Sequence, residues 1–600
     1  TGAKPFREAY HSYIRCRRNR QSSGSSFRGG PCGGHGAGIL RCVARLSGRW
    51  AMARLGEAIA NGISNITCYR KFRIRGVLVL ERSSAARNSR CGRSLMLPLS
   101  TGVGPFPARL GWSKRDGRTG RVILLALTPM WRRLIFVVLL SAGCAAAPGS
   151  PVRAQGARST PPAPEKVFLS PELQPTIASS VPALAEFKKA LYDLGYNLQF
   201  SYFADPWVNP IGGVKQGAAY EGLLYMVLDA DLAKIAGMDG LKFRASAYQI
   251  HGRQLSADNI FNFATIDSIE ARPATRLFEL WIEQKFSDLL AIRIGQLSAD
   301  NQFFVSDFGN SLYINSTFGW PTIFHQNLPG TGPNYPLATP GVRIKVTPSD
   351  QLAFLVGLYN GDPAGSGFTG LEEIKDPAGI NFRLQDPPLL MTEVQYRYNQ
   401  DKAATGLAGT IRLGGLYHFG KFNDQLFDVD GQSLAAPTSN GIAKTYRGNY
   451  CLYGVIDQML WRLPGDDPKK GIGAFARTAV FPVERNMGDL YAEAGINFMG
   501  LWDKRPDDSF GIAASFTHLS PNVRQLDADR AFFTSTPLPL RNYELVFELT
   551  YQAQIVSGWT VQPDFQYIFH PGGGTIDPVN PFVGRISDAA VFGLRTQISF

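Results

Sequence analysis

The sequence predicts an all-β protein: a transmembrane antiparallel β-barrel of about 16 strands, with a short N-terminal periplasmic helix. Three observations predict it. A secretory signal precedes the strand-rich part of the chain. That part alternates apolar and polar residues in short segments. The chain then ends in a strand whose last residue is Phe600.

The 600 residues carry a formal charge of +14, unevenly spread. Residues 1–129 hold about 24 Lys+Arg against about 4 Asp+Glu, and residues 156–600 carry roughly −9. Residues 1–129 are basic and of low complexity, without a sustained period of 2 or 3.6. Two readings stand for them: a basic nucleic-acid-binding arm, or disordered or mistranslated sequence upstream of a start at Met130. The signal that follows favours the second, so no nucleic-acid partner is expected. Residues 130–155 read as a signal peptide: Arg132 and Arg133, then the apolar run Leu134 to Leu140, then Val152-Arg153-Ala154 before Gln155. Lipoprotein processing at Cys144 is a rival, weakened by Ser141 where leucine is usual. Residues 156–195 form a Pro- and Ser-rich periplasmic leader, in which Val181 to Leu194 is either a short helix or an irregular lead-in. The barrel is expected over 196–600.

Cys451 is the single cysteine after residue 155, so no internal disulfide is expected there. No CxxC or comparable ligand spacing appears, and neither a metal nor a cofactor is expected.

Beyond residue 196 no run of 18 apolar residues recurs, which excludes helical spans. Period-2 alternation recurs instead. In 277–285, Phe278, Leu280 and Ile282 share one face, and Glu279, Trp281, Glu283 and Lys285 the other. Leu290, Ile292 and Ile294 alternate with Arg293, and Val342, Ile344 and Val346 with Arg343 and Lys345. Val394, Tyr396 and Tyr398 alternate with Gln395 and Arg397, and Ile411 and Leu413 with Arg412. Tyr543, Leu545, Phe547, Leu549 and Tyr551 alternate with Glu544, Glu548 and Gln552. In the last strand Phe592, Leu594, Thr596, Ile598 and Phe600 face one way, Arg595 and Gln597 the other.

A soluble antiparallel sandwich also buries one face and wets the other. The signal peptide, the terminal Phe600 and the aromatics Tyr396, Tyr398, Tyr543, Tyr551, Phe592 and Phe600 on the apolar faces, expected near strand ends, favour a membrane barrel. Lipid cannot hydrogen-bond the backbone, so a spanning sheet must close. Closure aims the Glu, Gln, Arg and Lys side chains inward, and a lumen so lined is expected to hold water rather than a packed apolar core.

Long stretches carry a resemblance: QIHGRQLSAD (249–258), RLFELWIEQKF (276–286), IRIGQLSADNQFFVSD (292–307), INSTFGWP (314–321), NYPLATPGVRIKV (334–346), LYNGDPAG (358–365), GNYCLYGVIDQMLWR (448–462) and LTYQAQIVSGWTVQPDFQYIFHPGGG (549–574). In these the chain resembles the OprB-type carbohydrate-selective porins. The resemblance spans most of 196–600 and has no counterpart for 1–129. It implies a sixteen-stranded barrel of a diderm bacterium's outer membrane, exported by the Sec pathway, that passes small sugars such as glucose.

Sugar selectivity needs polar groups that replace part of a solute's hydration, and aromatic faces for a pyranose ring, all binding weakly. Glu279, Trp281, Glu283 and Arg293 form one such set; Arg343, Lys345, Arg397, Arg412, Glu544, Glu548 and Arg595 are further inward-facing candidates. The stretch 306–340 is too long for a tight turn. It is expected to fold into the pore and bring Asp307, Asn315, Trp320, His325 and Asn327 near the path, the alternative being an exposed outer loop. A hydrolase is not expected, because the histidines are scattered and no GxSxG elbow appears. NGDPAGSG (360–367) lacks the ligands of a calcium loop.

Expected partners are small sugars as permeants, outer-membrane lipid and lipopolysaccharide, and the barrel-assembly machinery, read through the strand ending at Phe600; the barrel is monomer or homotrimer. The alternative function is a secreted, soluble β-sheet carbohydrate-binding protein.

Overall fold

The computed structural model describes residues 176–366, 372–401, 404–464 and 470–600. The expectations for 1–129, for the signal at 130–155 and for the leader up to 175 lie outside the described residues.

Sixteen antiparallel strands close into one barrel. They are β1 (Tyr196–Gly213), β2 (Gly217–Asp231), β3 (Leu241–Gly252), β4 (Ala274–Lys285), β5 (Leu290–Leu297) and β6 (Thr339–Ser349). Then come β7 (Leu352–Asn360), β8 (Pro388–Tyr398), β9 (Gly409–Asp428), β10 (Ala443–Arg462) and β11 (Gly471–Val480). The last five are β12 (Gly488–Met499), β13 (Ser509–Leu519), β14 (Tyr543–Val556), β15 (Trp559–Phe569) and β16 (Ser587–Ser599). β1 pairs with β16, for example Tyr202 with Ile598, so no open edge remains in lipid.

One end of the barrel has tight connections, such as 350–351 and 557–558, and the other has the long ones, 253–273 and 298–338 among them. Outer-membrane barrels turn short connections to the periplasm and long ones outward. Helix α1 (Pro182–Asp193) lies at the tight-turn end, where Lys188 Nζ donates to the Phe600 carbonyl at 3.0 Å. The segment is therefore a helix, not an irregular lead-in. It starts with Pro at its first turn and stops at Gly195, whose φ of +98° packs the chain against α2 (Leu232–Ala236). A Cβ at Gly195 would lie 2.9 Å from Ile235 Cγ1 and 3.0 Å from the Asp231 carbonyl, so only glycine fits.

The outward residues are apolar along most strands. Leu413, Leu452 and Ile294 are more than half exposed, which suits lipid and not water. The soluble alternative is thereby overturned: a closed barrel with this exterior has no water-compatible outer face. Leu413→Arg is expected to destabilise the barrel by about 2–4 kcal/mol, read as a lower denaturant midpoint of refolding into lipid.

The alternation fails at one predicted place. Ala245 pairs with Leu280 but Ala247 with Leu277, so β4 carries an extra residue there. This bulge turns Phe278 inward as well as Glu279, and Phe278 packs on Tyr248 at 4.8 Å instead of facing outward with Leu280 and Ile282. Phe592 also departs from expectation: it lies mid-strand opposite Phe565, inside the apolar band rather than at its rim.

Candidate functional site: the lumen and its inner loops

The β5–β6 loop, 298–338, turns into the barrel and crosses the inner wall strand by strand. Glu393 on β8 accepts from Phe304 N at 2.7 Å. Asp457 on β10 accepts from Ser306 Oγ at 2.5 Å and from Asp307 N at 3.0 Å. Arg477 on β11 donates to the carbonyls of Phe304 at 2.8 Å and Phe318 at 2.7 Å. Tyr313 Oη donates to Asn497 on β12 at 2.8 Å. Glu548 on β14 accepts from Ile314 N and Asn315 N at 2.6 and 3.0 Å, and Asn315 Nδ2 reaches Gln566 on β15 at 2.8 Å. The expectation that 306–340 folds inward, not outward, matches this path.

The β3–β4 loop, 253–273, is held the same way. Glu544 accepts from the N–H groups of Phe263, Ala264 and Gly572, all within 3.0 Å. Glu221 accepts from Leu255 N at 2.9 Å, and Trp207 Nε1 donates to Asp267 at 2.8 Å. Within the loop, Glu270 accepts from Ser256 Oγ at 2.6 Å, and burial pushes its carboxyl up to about 7.

The cause is common to both loops. Irregular chain inside a barrel cannot pair its peptide groups with a neighbouring strand, and an unpaired buried N–H or C=O is costly. Wall carboxylates supply the missing acceptors, and wall guanidiniums the missing donors.

Between the β5–β6 loop and the wall lies a buried aromatic cluster. Phe304 meets Tyr453 edge-on at 4.7 Å, and Trp320 packs on Phe324 at 4.9 Å, with Phe303, Tyr359, Phe481 and Tyr491 buried beside them. This corrects the expectation of a purely water-filled lumen: part of the interior is packed apolar core, because the inserted loop brings its own hydrophobic side.

The loops also change the standing of many candidates. Glu279, Glu544, Glu548, Arg412, Arg595, Asn315 and Trp320 are enclosed between wall and loop rather than exposed to the lumen. Glu279 accepts from Asn301 Nδ2 at 3.1 Å. Arg412 bridges Asp457 at 2.8 Å and Asp307 at 2.9 Å. Arg595 is bonded to Asp205 at 2.8 Å and to Asp267. Trp320 Nε1 donates to Thr331 O at 3.2 Å, and Asn327 Nδ2 to Gly488 O at 2.8 Å. His325 lies in helix α3 (Thr322–Asn327), where burial pushes its imidazole down to about 4, so it is neutral at physiological pH.

A second group runs along the wall on β2 to β6. Glu283 accepts from Arg293 Nε and from Arg343 Nη2, both at 2.8 Å, so one carboxylate bridges two guanidiniums that stand directly opposite each other. Arg293 stacks on the Trp281 ring at 3.9 Å, Arg244 approaches the same ring at 5.5 Å, and Arg244 is bonded to Asp229 at 2.6 Å. Trp281 is thus a support for two arginines rather than an open platform, and it is buried. Lys345 is half-buried one pleat from Arg343, and Arg397 is half-buried near the tight-turn end of β8.

Glycines make room for this ladder: Trp281 pairs with Gly295 and Gly295 with Gly341. Gly295 has φ +147°, and its Cβ would lie 2.6 Å from Trp281 Cα. Gly295→Val is expected to cost about 1–3 kcal/mol through overpacking, with a lower refolding yield as the measurement.

Arg244, Asp229, Glu393, Asp457 and Arg477 were not among the candidates. Arg477 sits in GIGAFARTAV, where outward Ala474 and Ala476 are too small to reveal an apolar face. Glu393 lay within reach, one residue before the alternating Val394.

Comparison with known proteins agrees with this geometry. Residues 215–600 match the family model described as carbohydrate-selective porin, OprB family. The chain is similar to Porin B of Pseudomonas aeruginosa, 25% identical over 430 residues that cover 68% of this chain and 88% of the relative. Its fold is similar to the high-pH structure of Pseudomonas putida OprB, at 24% identity and a TM-score of 0.60, covering 69% of this chain and 97% of that one. On the match over 215–600, this chain belongs to the OprB family of carbohydrate-selective porins.

Proposed function

We propose that this porin passes monosaccharides such as glucose by passive diffusion through the outer membrane, with no catalytic step. The two inner loops narrow the lumen, and the Arg244–Asp229, Trp281, Arg293–Glu283–Arg343 ladder borders the passage, with Arg244, Asp229 and Glu283 keeping part of their surface and Trp281, Arg293 and Arg343 buried behind them. The observation that carries this reading is Glu283 shared between two opposed arginines at 2.8 Å, which fixes donors and an acceptor side by side on the wall. Guanidinium N–H groups donate to sugar hydroxyls and the carboxylate accepts from them, replacing water one bond at a time. Because Glu283 is already held by both guanidiniums, a sugar exchanges bonds with it rather than adding many, and binding stays weak enough for flux. Lys345 and Arg397 extend positive charge toward the tight-turn mouth.

The chain reaches the membrane by Sec export and inserts through the barrel-assembly machinery. Lipid and lipopolysaccharide surround the finished barrel, as monomer or homotrimer.

The test is uptake of labelled glucose into vesicles carrying the purified, folded protein. Internal glucose should rise to the external concentration and stop. Accumulation beyond it, or none, would contradict passive diffusion.

A further inference from the structure

The outer surface of β9 and β10 carries an unusual vertical series of side chains. At hydrocarbon depth stand Leu413 and Leu452, both about two-thirds exposed. Toward the long-loop end come Tyr417 and Tyr450, cross-strand partners. Above these Lys421 stands directly opposite Arg447, and above them Asn423 opposite Thr445.

The facing of the basic pair follows from its neighbours. Phe422 packs edge-on against buried His418 at 5.2 Å, and Tyr446 Oη donates to buried Asp424 at 2.9 Å, so both point inward. Lys421 and Arg447, adjacent on each strand, therefore face outward, and both are exposed. The register shifts between Arg447 and Asn449, where Gly448 has φ +82°, and this shift lets Arg447 join the face of Tyr450.

Like charges directly opposite on an antiparallel pair are unfavourable. Several other cations near the long-loop end have acids: Arg541 has Asp527 at 2.8 Å, Arg253 has Asp258 at 3.8 Å, and Arg485 has Glu484. The side chains of Lys421 and Arg447 form no hydrogen bond or ion pair with any described residue. The pair thus lacks an anion, and it sits immediately above an aromatic belt.

We infer that Lys421 and Arg447 bind a phosphate of an outer-leaflet glycolipid of the lipid A type. Its acyl chains lie on Leu413 and Leu452, its interfacial region meets Tyr417 and Tyr450, its phosphate bridges the two cations, and its sugar hydroxyls reach Asn423 and Thr445. The inference rests on the outer-membrane reading for the direction of this face.

The test is native mass spectrometry of the purified full chain in neutral detergent, with bisphosphorylated lipid A as the probe. Dephosphorylated lipid A and inorganic phosphate are the comparison probes. The wild type should retain lipid A, and K421Q/R447Q should bind it about tenfold to thirtyfold more weakly, with K421R/R447K close to wild type. On the wild type, dephosphorylated lipid A should bind as weakly as lipid A binds to K421Q/R447Q. Equal retention of the two lipids, or undiminished binding by K421Q/R447Q, overturns the inference. So does inorganic phosphate binding as tightly as lipid A, which would make this a free-anion site. Glucose uptake through the same preparations reads the porin function separately: it persists if this inference alone fails.

Discussion

Arg477→Ala is expected to raise single-channel conductance several-fold and to abolish discrimination between monosaccharides and larger sugars. Arg477 is fully buried, bonded to Glu493, and donates to the carbonyls of Phe304, Thr317 and Phe318 in the β5–β6 loop. Truncation leaves the Glu493 carboxylate buried without its cation, and breaking such a pair costs about 3–5 kcal/mol. Three loop carbonyls lose their donor as well. Departure of the loop relieves that cost by letting water reach Glu493, while the wall holds, because β11 is tied on both sides by backbone ladders to β10 and β12. The barrel should therefore stay closed and resist cold SDS while the loop leaves its seat. Planar-bilayer recording of the folded variant checks this: unchanged conductance would mean that the loop does not set the bore.

The double change Arg293→Gln, Arg343→Gln is expected to shift the pore's ion preference toward cations and to cut glucose flux severalfold. Both guanidiniums share Glu283, so the trio carries one net positive charge. Without them Glu283 loses two positive partners and the wall around it becomes more negative. A unit charge about 4 Å away is worth about 4 kcal/mol at an effective dielectric of 20, enough to shift the preference among small ions. The reversal potential in a salt gradient reads it directly. The Trp281 ring also loses its stacked partner Arg293 at 3.9 Å, so its exposure should increase, visible as a red shift in fluorescence.

Much of the fold was legible because lipid demands an apolar exterior. Leu280, Ile282, Ile292 and Ile294 face outward for that reason, and Glu283, Arg293 and Arg343 follow inward by the pleat. Two kinds of information were not legible. The bulge that turns Phe278 inward depends on pairing with β3, a long-range match that the local pattern of β4 does not encode. The role of each inward charge depends on what else occupies the lumen. Glu548 and Glu283 look alike in their alternating strands, yet Glu548 holds the N–H groups of Ile314 and Asn315, and Glu283 bridges two arginines. Alternation reports a face; it does not report whether water or an inserted loop meets that face.

A lumen narrowed by inner loops and bordered by the arginine–carboxylate ladder is tested most directly by swelling of liposomes carrying the folded protein in sugars of increasing size. Swelling should be rapid in monosaccharides and fall steeply through disaccharides to trisaccharides. Equal rates across the series, or no swelling in any sugar from protein verified as folded in lipid, would contradict it.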